Sequence, residues 1–377
     1  MSDHPIAIIG AGLAGAATAR SLARRGRDVV LLERTTPANA LGSSHGSARI
    51  FRYTYPDPFY TRLVGEARRG WDELESAVGL RLISDAGALD YGALRDPAGL
   101  AAILADQGIS HELLQAHAAS ERWPGLVFDG PVLWHEAAGV IDAESSVSAL
   151  VALAVQDGAE LHTDWVATGV VRDGASYVVE SESGDTISAS QVVVAAGGWL
   201  PSLLDRLALP RDTVDRFPAL QVRQEQALHF AYRDPHTHWP TFINKREDIQ
   251  VYGLPGGRDA HFRGQKVAEY NGGPVIGSAL EHERVIDPAR RERVVDYVTR
   301  YLPGLIPEPY AETTCLFTNA PDDEFIIDRI EGVTILSPCS GHGAKFAPLL
   351  GELAARLVMD EDAGVERFRP LAALAGA

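Results

Sequence analysis

The chain has 377 residues, which is too long for one ordinary hydrophobic core and about right for two domains. Its composition, 46% hydrophobic and 23% charged, is typical of a soluble globular protein. The formal charge of −17 argues against a nucleic-acid partner, because binding to phosphates requires a basic face.

The sequence carries little sign of export or of membrane attachment. The first ten residues, MSDHPIAIIG, contain no basic region typical of a signal peptide. No apolar run approaches the roughly 20 residues that cross a bilayer. Two cysteines, Cys315 and Cys339, are too few for a disulfide framework. We therefore expect a cytoplasmic protein without a membrane partner.

The first 34 residues predict a βαβ unit. The apolar run Ile6–Ile9 predicts a buried strand, Ala16–Arg25 predicts a helix, and Val29–Leu32 predicts a second strand. The helix N-terminus would present free N–H groups and a positive dipole end to a phosphate. Such a unit binds the pyrophosphate of a dinucleotide, and a glycine-rich turn without a ligand is the alternative interpretation.

Three glycines and an acid refine this prediction. Gly10, Gly12 and Gly15 permit a tight turn, close approach to a pyrophosphate and close packing of the helix. Glu33, at the end of the second strand, is placed to accept hydrogen bonds from a ribose 2′-hydroxyl. An acid there disfavours a 2′-phosphate, so FAD or NAD is expected rather than NADP. The residues expected to contact the cofactor here are Gly10, Gly12, Leu13, Ala14, Gly15, Glu33 and Arg34.

The middle of the chain alternates between helical and extended patterns. Tyr60–Val78 predicts a helix, and residues 82–91 predict short strands. A β-meander follows, with turns at its Asp-Gly and Gly-Asp pairs. Its predicted strands are Leu161–Val171, Tyr177–Ser181 and Thr186–Ile187. A strand over Gln191–Ala196 then enters a glycine turn, which is either a second phosphate contact or the plain end of a buried strand.

The last part of the chain returns to an α/β pattern. Residues 216–310 alternate strands and polar loops, which is typical of a substrate domain with a mixed or antiparallel sheet. Val333–Leu336 predicts a strand and Pro348–Met359 a helix. The predicted fold class is α/β, with two domains. The first, discontinuous and Rossmann-like, spans 1–80, 150–215 and 311–377, and the second spans 81–149 and 216–310.

Three further stretches carry charged or glycine-rich patterns. In 42–52, GSSHGSARIFR, Arg49 and Arg52 would share one side of a helical turn and offer bidentate donors to a carboxylate. A pair of solvated surface arginines is the alternative. The second stretch, 314–328, is TCLFTNAPDDEFIID. The third, 340–348, is SGHGAKFAP, and it opens the last helix, whose dipole could stabilise negative charge on a reduced flavin.

These stretches resemble the FAD-dependent monomeric sarcosine oxidase and N-methyltryptophan oxidase family, within the D-amino-acid oxidase-like superfamily. The shared motifs are G-S-x-H-G-x-x-R-x-x-R, C-x-x-T-x-x-P-D-x-x-F-I-I-D and S-G-H-G-x-K-F, and the similarity runs from Ile6 to about Arg369. The resemblance implies a two-domain flavoprotein that binds FAD, a small amine substrate with a carboxylate, O2, and a monomeric state. No metal is expected.

The resemblance also implies roles for single residues. Cys315 matches the cysteine that forms a thioether to the flavin 8α-methyl, with an inert buried thiol as the alternative. Lys266 matches a lysine that activates oxygen near flavin N5, where a cation stabilises developing superoxide. Cys339 matches no attachment position and is expected to be structural. The other implied residues are Tyr252 in the substrate cavity, Arg52 and Lys345 for the carboxylate, His45 and Arg49 near the flavin, and Ser43, Ser44, Gly341, His342 and Gly343 for the cofactor.

The sequence departs from the family pattern in the expected substrate region. Tyr270 stands where the family has a histidine, Ala48 where a threonine is usual, and Phe317 where a tyrosine is usual. The loop 256–264, GGRDAHFRG, is longer and more basic than its counterpart. Because tyrosine cannot supply the charge of an imidazolium near neutral pH, we expect a reshaped cavity and a substrate other than sarcosine.

The expected reaction is oxidation of a secondary amine, an N-alkyl or cyclic amino acid, to the imine, with O2 reduced to hydrogen peroxide. The amine would bind deprotonated, so that no strong general base is required. A dehydrogenase with another electron acceptor is one alternative, against which Lys266 argues. A biosynthetic oxidase of a bulkier imino acid is a second. A flavin-binding protein without catalysis is a third, against which the retained Cys315, Lys266, Arg52 and Lys345 argue.

Overall fold

A computed structural model of the protein describes residues 4–361 and 365–371. Residues 1–3, 362–364 and 372–377, which the predicted first domain includes, lie outside the described residues. The α/β class is confirmed, since helices and two large sheets of different kinds make up the structure.

Six of the described strands form a mostly parallel sheet, called here the parallel sheet. Their spatial order is Ile326–Ile330, Val333–Ser337, Gln191–Val194, Ile6–Ile9, Val29–Leu32 and Glu160–His162. The central strand Ile6–Ile9 pairs in parallel with both of its neighbours. All four of its residues are buried, which explains why it reads as an uninterrupted apolar run.

The predicted helix of the βαβ unit is present, but it begins earlier than predicted and spans Leu13–Ala23. It packs against the helices Ala143–Gln156 and Ala347–Val358 on one face of the parallel sheet. Small residues allow the close approach: a Cβ atom added at Gly351 would lie 2.4 Å from the backbone carbon of Ala17. The first and last of these helices in the chain therefore pack together in one layer on the parallel sheet.

The predicted strand Leu161–Val171 is wrong. The structure has two strands there, Glu160–His162 in the parallel sheet and Ala167–Asp173 in a separate antiparallel meander. The chain breaks at Asp164, whose φ of 53° lies in the left-handed region. The amide N–H of Asp164 donates to the carbonyl oxygen of Thr35, which ties the break to the loop after the second strand. The rest of the meander, Ser176–Ser181 and Thr186–Ala189, is confirmed.

Nine of the described strands form the second large sheet, called here the antiparallel sheet. Eight lie in the order Val275–Ile276, Gln221–Tyr232, Gln265–Glu269, Gln250–Pro255, Thr241–Lys245, Ala88–Tyr91, Val132–His135 and Glu112–Leu114. The ninth, Leu305–Asn319, pairs along its length with Gln221–Tyr232. Thr241–Lys245 and Ala88–Tyr91 pair in parallel, so the sheet is mixed. The predicted domain boundary at residue 311 falls inside the ninth strand, and the domain limits stay a prediction.

A small sheet joins the segment of the two arginines to the rest of the fold. Its strands are Arg49–Phe51, Gly139–Ile141 and Ile83–Asp85. The helical turn considered for Arg49 and Arg52 is therefore wrong, because Arg49–Phe51 is extended and pairs with Gly139–Ile141. Extended backbone sends side chains to alternate faces, so the two arginines do not share one side of a turn.

The remaining helices lie mostly at the surface of the two large sheets. The α-helices not yet described are Pro58–Val78, Pro97–Asp106, Ala116–Arg122, Leu200–Leu203, Arg211–Asp215 and Pro288–Tyr301. The 3₁₀ turns are Gly197–Trp199, Leu204–Arg206, Arg258–Ala260, Ala279–Glu281, Pro321–Asp323, Gly343–Phe346 and Glu366–Phe368. Among the described residues, none of the helices combines the length and the apolar character that a membrane span requires.

Candidate active site

A single large cavity of about 900 Å3 extends from the glycine-rich turn after Ile6–Ile9 to the antiparallel sheet. It is lined by most of the residues that the sequence singled out. These are Gly10, Gly12, Leu13, Ala14, Glu33, Arg34, Ser43, Ser44, Arg49, Arg52, Tyr252, Lys266, Tyr270, Cys315, Gly341, His342, Gly343 and Lys345. Two predicted residues do not line it: Gly15, which lies under the turn, and His45.

The glycine-rich turn leaves no room for side chains. Gly10 has a φ of +99°, and a Cβ atom there would lie 2.5 Å from the carbonyl oxygen of Ala195. A Cβ atom on Gly15 would lie 1.9 Å from the carbonyl oxygen of Gly10, and one on Gly12 would lie 2.9 Å from Oγ of Ser44. The turn is thus a backbone cradle at a helix N-terminus, which is the arrangement that a pyrophosphate requires.

Glu33 is buried at the end of its strand beside the cradle. Its Oε2 accepts a hydrogen bond of 2.8 Å from the amide N–H of Ala11, and its Oε1 accepts one of 3.1 Å from Nδ2 of Asn39. A carboxylate has about four acceptor sites, so capacity remains for a ribose hydroxyl. Next to it, the guanidinium of Arg34 lies 4.7 Å from the ring centroid of Trp199, which encloses this end of the cavity.

The guanidinium of Arg49 is hydrogen-bonded to the loop that precedes it in the chain. Its Nη2 donates hydrogen bonds of 2.9 Å to the carbonyl oxygens of Ser43 and His45. Oγ of Ser44 accepts a hydrogen bond of 3.0 Å from the amide N–H of Leu13, which fastens this loop to the first helix. The cradle and the arginine segment are therefore one structural unit.

His45 lies behind Arg49 and is neutral. Burial, with help from the charge of Arg49, lowers the pKa of His45 to about 4. Its Nε2 is buried and has no hydrogen-bond partner among the described residues. The loop that carries Asp259 packs against this segment, where Oγ of Ser47 donates to the Asp259 carboxylate and accepts from its amide N–H at 2.9 Å.

Cys315 and Lys266 meet at the antiparallel sheet. Cys315 lies on Leu305–Asn319 opposite Glu225, and Lys266 lies on Gln265–Glu269. Burial raises the pKa of the Cys315 thiol, and the positive charges of Arg49 and Lys266 oppose this change. Lys266 is 6% exposed, and burial together with Arg49 lowers its pKa to about 8. A thiol and a cation thus face the same part of the cavity.

Cys339 also lines the cavity, and its Sγ is engaged. It accepts a hydrogen bond of 3.3 Å from the amide N–H of Thr318. Both cysteines are unpaired thiols. The engaged sulfur agrees with the structural role expected for Cys339 and distinguishes it from Cys315.

Lys345 ends a chain of hydrogen bonds at the start of the last helix. The residue is only 4% exposed. Its Nζ donates hydrogen bonds to the hydroxyl oxygen of Tyr55 at 2.9 Å and to the carbonyl oxygen of His342 at 2.7 Å. The Tyr55 hydroxyl lies 3.0 Å from Nδ1 of His342, and Nε2 of His342 lies 2.9 Å from the carbonyl oxygen of Asp323. A carbonyl can only accept, so Nε2 carries the proton and Nδ1 accepts from Tyr55.

The titrations of this cluster follow from its burial. Burial, followed by the charge of Lys345, lowers the pKa of His342 to about 3, so the imidazole is neutral. Burial also lowers the pKa of Lys345 well below its usual value, and Arg52 lowers it further. A buried amine beside a second cation is stabilised by an anion that binds between them.

The carbonyl oxygen of Thr54 links Arg52 to the buried ion pair of Arg95 and Asp90. One of the Nη atoms of Arg52 donates to the carbonyl oxygen of Thr54 and, at 3.1 Å, to its Oγ1. Arg95 donates to the same carbonyl at 3.1 Å and, through Nε, to Oδ1 of Asp90 at 2.6 Å. The Arg52 guanidinium also lies 5.0 Å from the ring centroid of Tyr55. Arg52 also lines the cavity, where a carboxylate can accept its remaining donors.

Two departures from the family pattern touch each other. The rings of Tyr270 and Phe317 have centroids 6.0 Å apart. Gly341 has a φ of +69°, and a Cβ atom on it would lie 3.2 Å from Tyr270 and 3.1 Å from Phe317. Burial raises the pKa of Tyr270, whose hydroxyl donates to Oδ2 of Asp323 at 3.4 Å. Burial likewise raises the pKa of Tyr252. Both phenols are therefore protonated at neutral pH.

Some residues of the cavity were missed in the sequence. Tyr55, Arg95, Lys245 and Asp323 all line it, and none belongs to a glycine or arginine motif. Tyr55 follows Arg52 by three residues, which is the one local indication that it lies nearby. Arg95 lies in the turn after Ala88–Tyr91 and Lys245 ends Thr241–Lys245, and the pairing of these two strands brings the residues together.

The donors around the cavity fit a flavin dinucleotide. Within residues 4–361 and 365–371, no group of three or more His, Cys, Asp or Glu side chains is arranged to hold a metal. The backbone cradle with Glu33 fits the adenosine and pyrophosphate portion. The thiol of Cys315 and the ammonium of Lys266 lie at the other end of the same cavity.

Comparison with known proteins identifies the family. The model of the DAO family, described as FAD dependent oxidoreductase, matches residues 5–357. The chain belongs to this family. It is 32% identical over 368 residues to the monomeric sarcosine oxidase of Streptomyces avermitilis, with 94% of each chain covered. It is 28% identical over 379 residues to the N-methyl-L-tryptophan oxidase of Yersinia pestis, with 97% of each covered. The resemblance inferred from the motifs is confirmed.

Solved structures of FAD-dependent oxidoreductases share the fold of this one. NikD, an amino acid oxidase essential for nikkomycin biosynthesis, has a TM-score of 0.86 and 25% identity, with 97% of both chains covered. The L-proline dehydrogenase of P. horikoshii has a TM-score of 0.81 and 20% identity, with 99% of this chain and 98% of that chain covered. The predicted two-domain flavoprotein fold is confirmed.

Proposed function

We propose that this FAD-dependent oxidoreductase oxidises a secondary amine that bears a carboxylate, an N-alkyl or cyclic amino acid, to the imine and reduces O2 to hydrogen peroxide. The observation that carries the proposal is one cavity that joins the dinucleotide cradle to the cations of Arg52, Lys266 and Lys345. The names of the relatives, sarcosine oxidase and N-methyl-L-tryptophan oxidase, support a secondary amino acid as substrate.

The three cavity residues Arg52, Lys345 and Lys266 would have different roles in the reaction. FAD, when bound, supplies the two-electron oxidation of the C–N bond and the transfer of those electrons to oxygen. Arg52 and Lys345 would hold the substrate carboxylate, because both are cations without a carboxylate partner among the described residues. Lys266 would stabilise the negative charge that develops on oxygen.

The neutral histidines and the protonated tyrosines offer no strong base to the substrate amine, and Lys266 and Lys345 are assigned to oxygen and to the carboxylate. Burial lowers the pKa values of His342 and His45 to about 3 and about 4, and both ring nitrogens of His342 are engaged by Tyr55 and by the carbonyl oxygen of Asp323. Tyr270 and Tyr252 are protonated, since burial raises their pKa values. The substrate amine therefore enters deprotonated, and the reaction rate rises with pH through the pKa of that amine.

We also propose that FAD is attached covalently through Cys315. The side chain lines the cavity, and although burial raises the pKa of its thiol, the positive charges of Arg49 and Lys266 oppose that change and favour the thiolate that attachment requires. The test is the intact mass of the denatured protein. The wild type and a Cys339→Ala control should carry one FAD, and Cys315→Ala should carry none. Flavin released from the wild type on denaturation would overturn covalent attachment and leave the oxidase proposal standing.

A biosynthetic oxidase of a bulky or cyclic imino acid is the second candidate. The contact between Tyr270 and Phe317, where the family pattern has histidine and tyrosine, favours it. The likeness to NikD agrees with it. A cytoplasmic, monomeric protein stays the expectation for both candidates.

Oxygen uptake and peroxide formation with a panel of N-methyl and cyclic amino acids test the oxidase proposal. Arg52→Ala should raise the KM for any amino acid that is oxidised by about 100-fold, because the loss is a charge-assisted, bidentate contact. Oxygen uptake with no member of the panel, by a protein with full flavin content, would contradict the proposal. Substrate-dependent reduction of a dye without oxygen uptake would indicate a dehydrogenase.

A further inference from the structure

Lysine is rare in this chain, and each lysine faces the same cavity. The 34 basic residues consist of 31 arginines and three lysines, Lys245, Lys266 and Lys345. All three line the cavity. Elsewhere the chain uses arginine, including at the exposed helix positions Arg211 and Arg300. A lysine in this protein therefore marks a place where a compact ammonium, with its freely rotating donors, meets the cavity.

Lys245 is the lysine to which neither a motif nor the family resemblance gives a role. It ends the strand Thr241–Lys245 and is half-buried, with Nζ 5.8 Å from the ring centroid of Tyr270. In the described part of the chain it forms no ion pair. Burial lowers its pKa, and the positive charges of Arg95 and Arg52 lower it further, while the more weakly acting carboxylates of Asp323 and Asp90 oppose this change. Lys245 therefore lies in the same field as the carboxylate site.

The charges at this end of the cavity do not balance. Arg95 is matched by Asp90, and Glu324 is matched by Arg367. Three basic groups then remain, Arg52, Lys245 and Lys345, and burial lowers the pKa of both lysines. Asp322 and Asp323 are both exposed, where solvent screens their charges, although the charge of Asp323 still acts on Lys245. One substrate carboxylate would favour the charged forms of Arg52 and Lys345 but would leave Lys245 without a buried counter-charge, which is costly in a desolvated cavity.

We propose that Lys245 binds a second acidic group of the substrate, so that the enzyme oxidises dicarboxylic N-alkyl or cyclic amino acids. This inference rests on the proposed function and adds the substrate class. Arg52 and Lys345 take the carboxylate next to the amine, and Lys245 takes the carboxylate of the side chain. Lys245 is thus a specificity-determining residue.

Matched substrates that differ only in charge provide the test. Racemic N-methylglutamate and N-methylglutamine have nearly the same size, and oxygen uptake by the holoenzyme gives kcat/KM for each. The wild type should prefer the acid by about tenfold or more, because a charge-assisted contact replaces a neutral one. Lys245→Gln should abolish this preference by lowering kcat/KM for the acid. Arg300→Gln removes an exposed positive charge and should keep the preference.

Binding without turnover gives a second measurement. Glutarate and its monoamide are titrated into the holoenzyme while the visible absorbance of the flavin is followed. Tighter binding of glutarate by the wild type, lost in Lys245→Gln with unchanged flavin content and unfolding temperature, would support the inference. Equal affinity for the two compounds, or a preference that survives Lys245→Gln, would overturn it. If no N-alkyl amino acid is oxidised, the proposed function fails and this titration still decides the role of Lys245.

Discussion

The ammonium of Lys345 donates a hydrogen bond of 2.9 Å to the hydroxyl oxygen of Tyr55. That hydroxyl donates in turn to Nδ1 of His342 at 3.0 Å, and Nε2 of His342 is held by the carbonyl oxygen of Asp323 at 2.9 Å. The ring of Tyr55 also lies under the guanidinium of Arg52. One tyrosine therefore positions both cations that we assign to the substrate carboxylate.

Tyr55→Phe should loosen this carboxylate site. The variant keeps the ring under Arg52 but removes the acceptor for Lys345 and the donor to His342. We expect the KM for the amino acid substrate to rise about tenfold, since two hydrogen bonds of the Tyr55 hydroxyl are lost, with a smaller change in kcat. Tyr53→Phe is the control, because Tyr53 does not line the cavity. An unchanged KM in Tyr55→Phe with full flavin content would contradict the positioning role.

Lys266→Met should slow the reaction with oxygen while flavin is retained. The methionine side chain has a similar length but is apolar, so the cation that would stabilise developing superoxide is gone. We expect reoxidation to slow by about 100-fold or more, as when a single stabilising group is removed from a transition state. Stopped-flow mixing of reduced protein with oxygen measures this, and reduction by substrate without oxygen is the internal control. Equal reoxidation rates in variant and wild type would refute the role.

The same role predicts a pH dependence in the wild type. Burial and Arg49 lower the pKa of Lys266 to about 8. The ammonium is present below that pH and is lost above it. Reoxidation should therefore fall about tenfold per pH unit above pH 8, and Lys266→Met should show no such fall. A reoxidation rate of the wild type that does not change between pH 7 and pH 10 would contradict the role assigned to Lys266.

Gly12→Ala should weaken cofactor binding. A Cβ atom there would lie 2.9 Å from Oγ of Ser44, so the loop that Ser44 fastens must shift at the cradle. We expect flavin affinity to fall by about tenfold or more, measured as flavin content and by titration with FAD. Gly65→Ala is the matched control: it lies within the helix Pro58–Val78 with nothing within 4 Å of an added Cβ. It should raise the unfolding free energy by up to about 1 kcal/mol.

Local patterns were enough to predict the parts of the fold that depend on nearby residues. The run Ile6–Ile9, the glycines after it and Glu33 all interact within one βαβ unit, and the structure places them as expected. Motif similarity likewise pointed to Cys315, Lys266 and Lys345, which line one cavity although they are far apart in the chain.

Long-range contacts account for what the sequence did not predict. The run Leu161–Val171 is apolar enough for one strand, but hydrogen bonds from Asp164 and Trp165 to the loop after the second strand divide it between two sheets. The roles of Tyr55 and Lys245 depend on which residues approach them in space. Tyr55 meets Lys345 across 290 positions of the chain. Neither spacing nor composition carries that information.

The most direct test of the central claim is the visible absorbance of the purified protein without oxygen. We predict that an N-methylated or cyclic amino acid bleaches the flavin bands, and that air restores them with about one hydrogen peroxide formed per flavin. Bleaching without recovery in air would mean that electrons leave to another acceptor. Absorbance that no secondary amino acid changes would contradict the assignment of this protein as an amine oxidase.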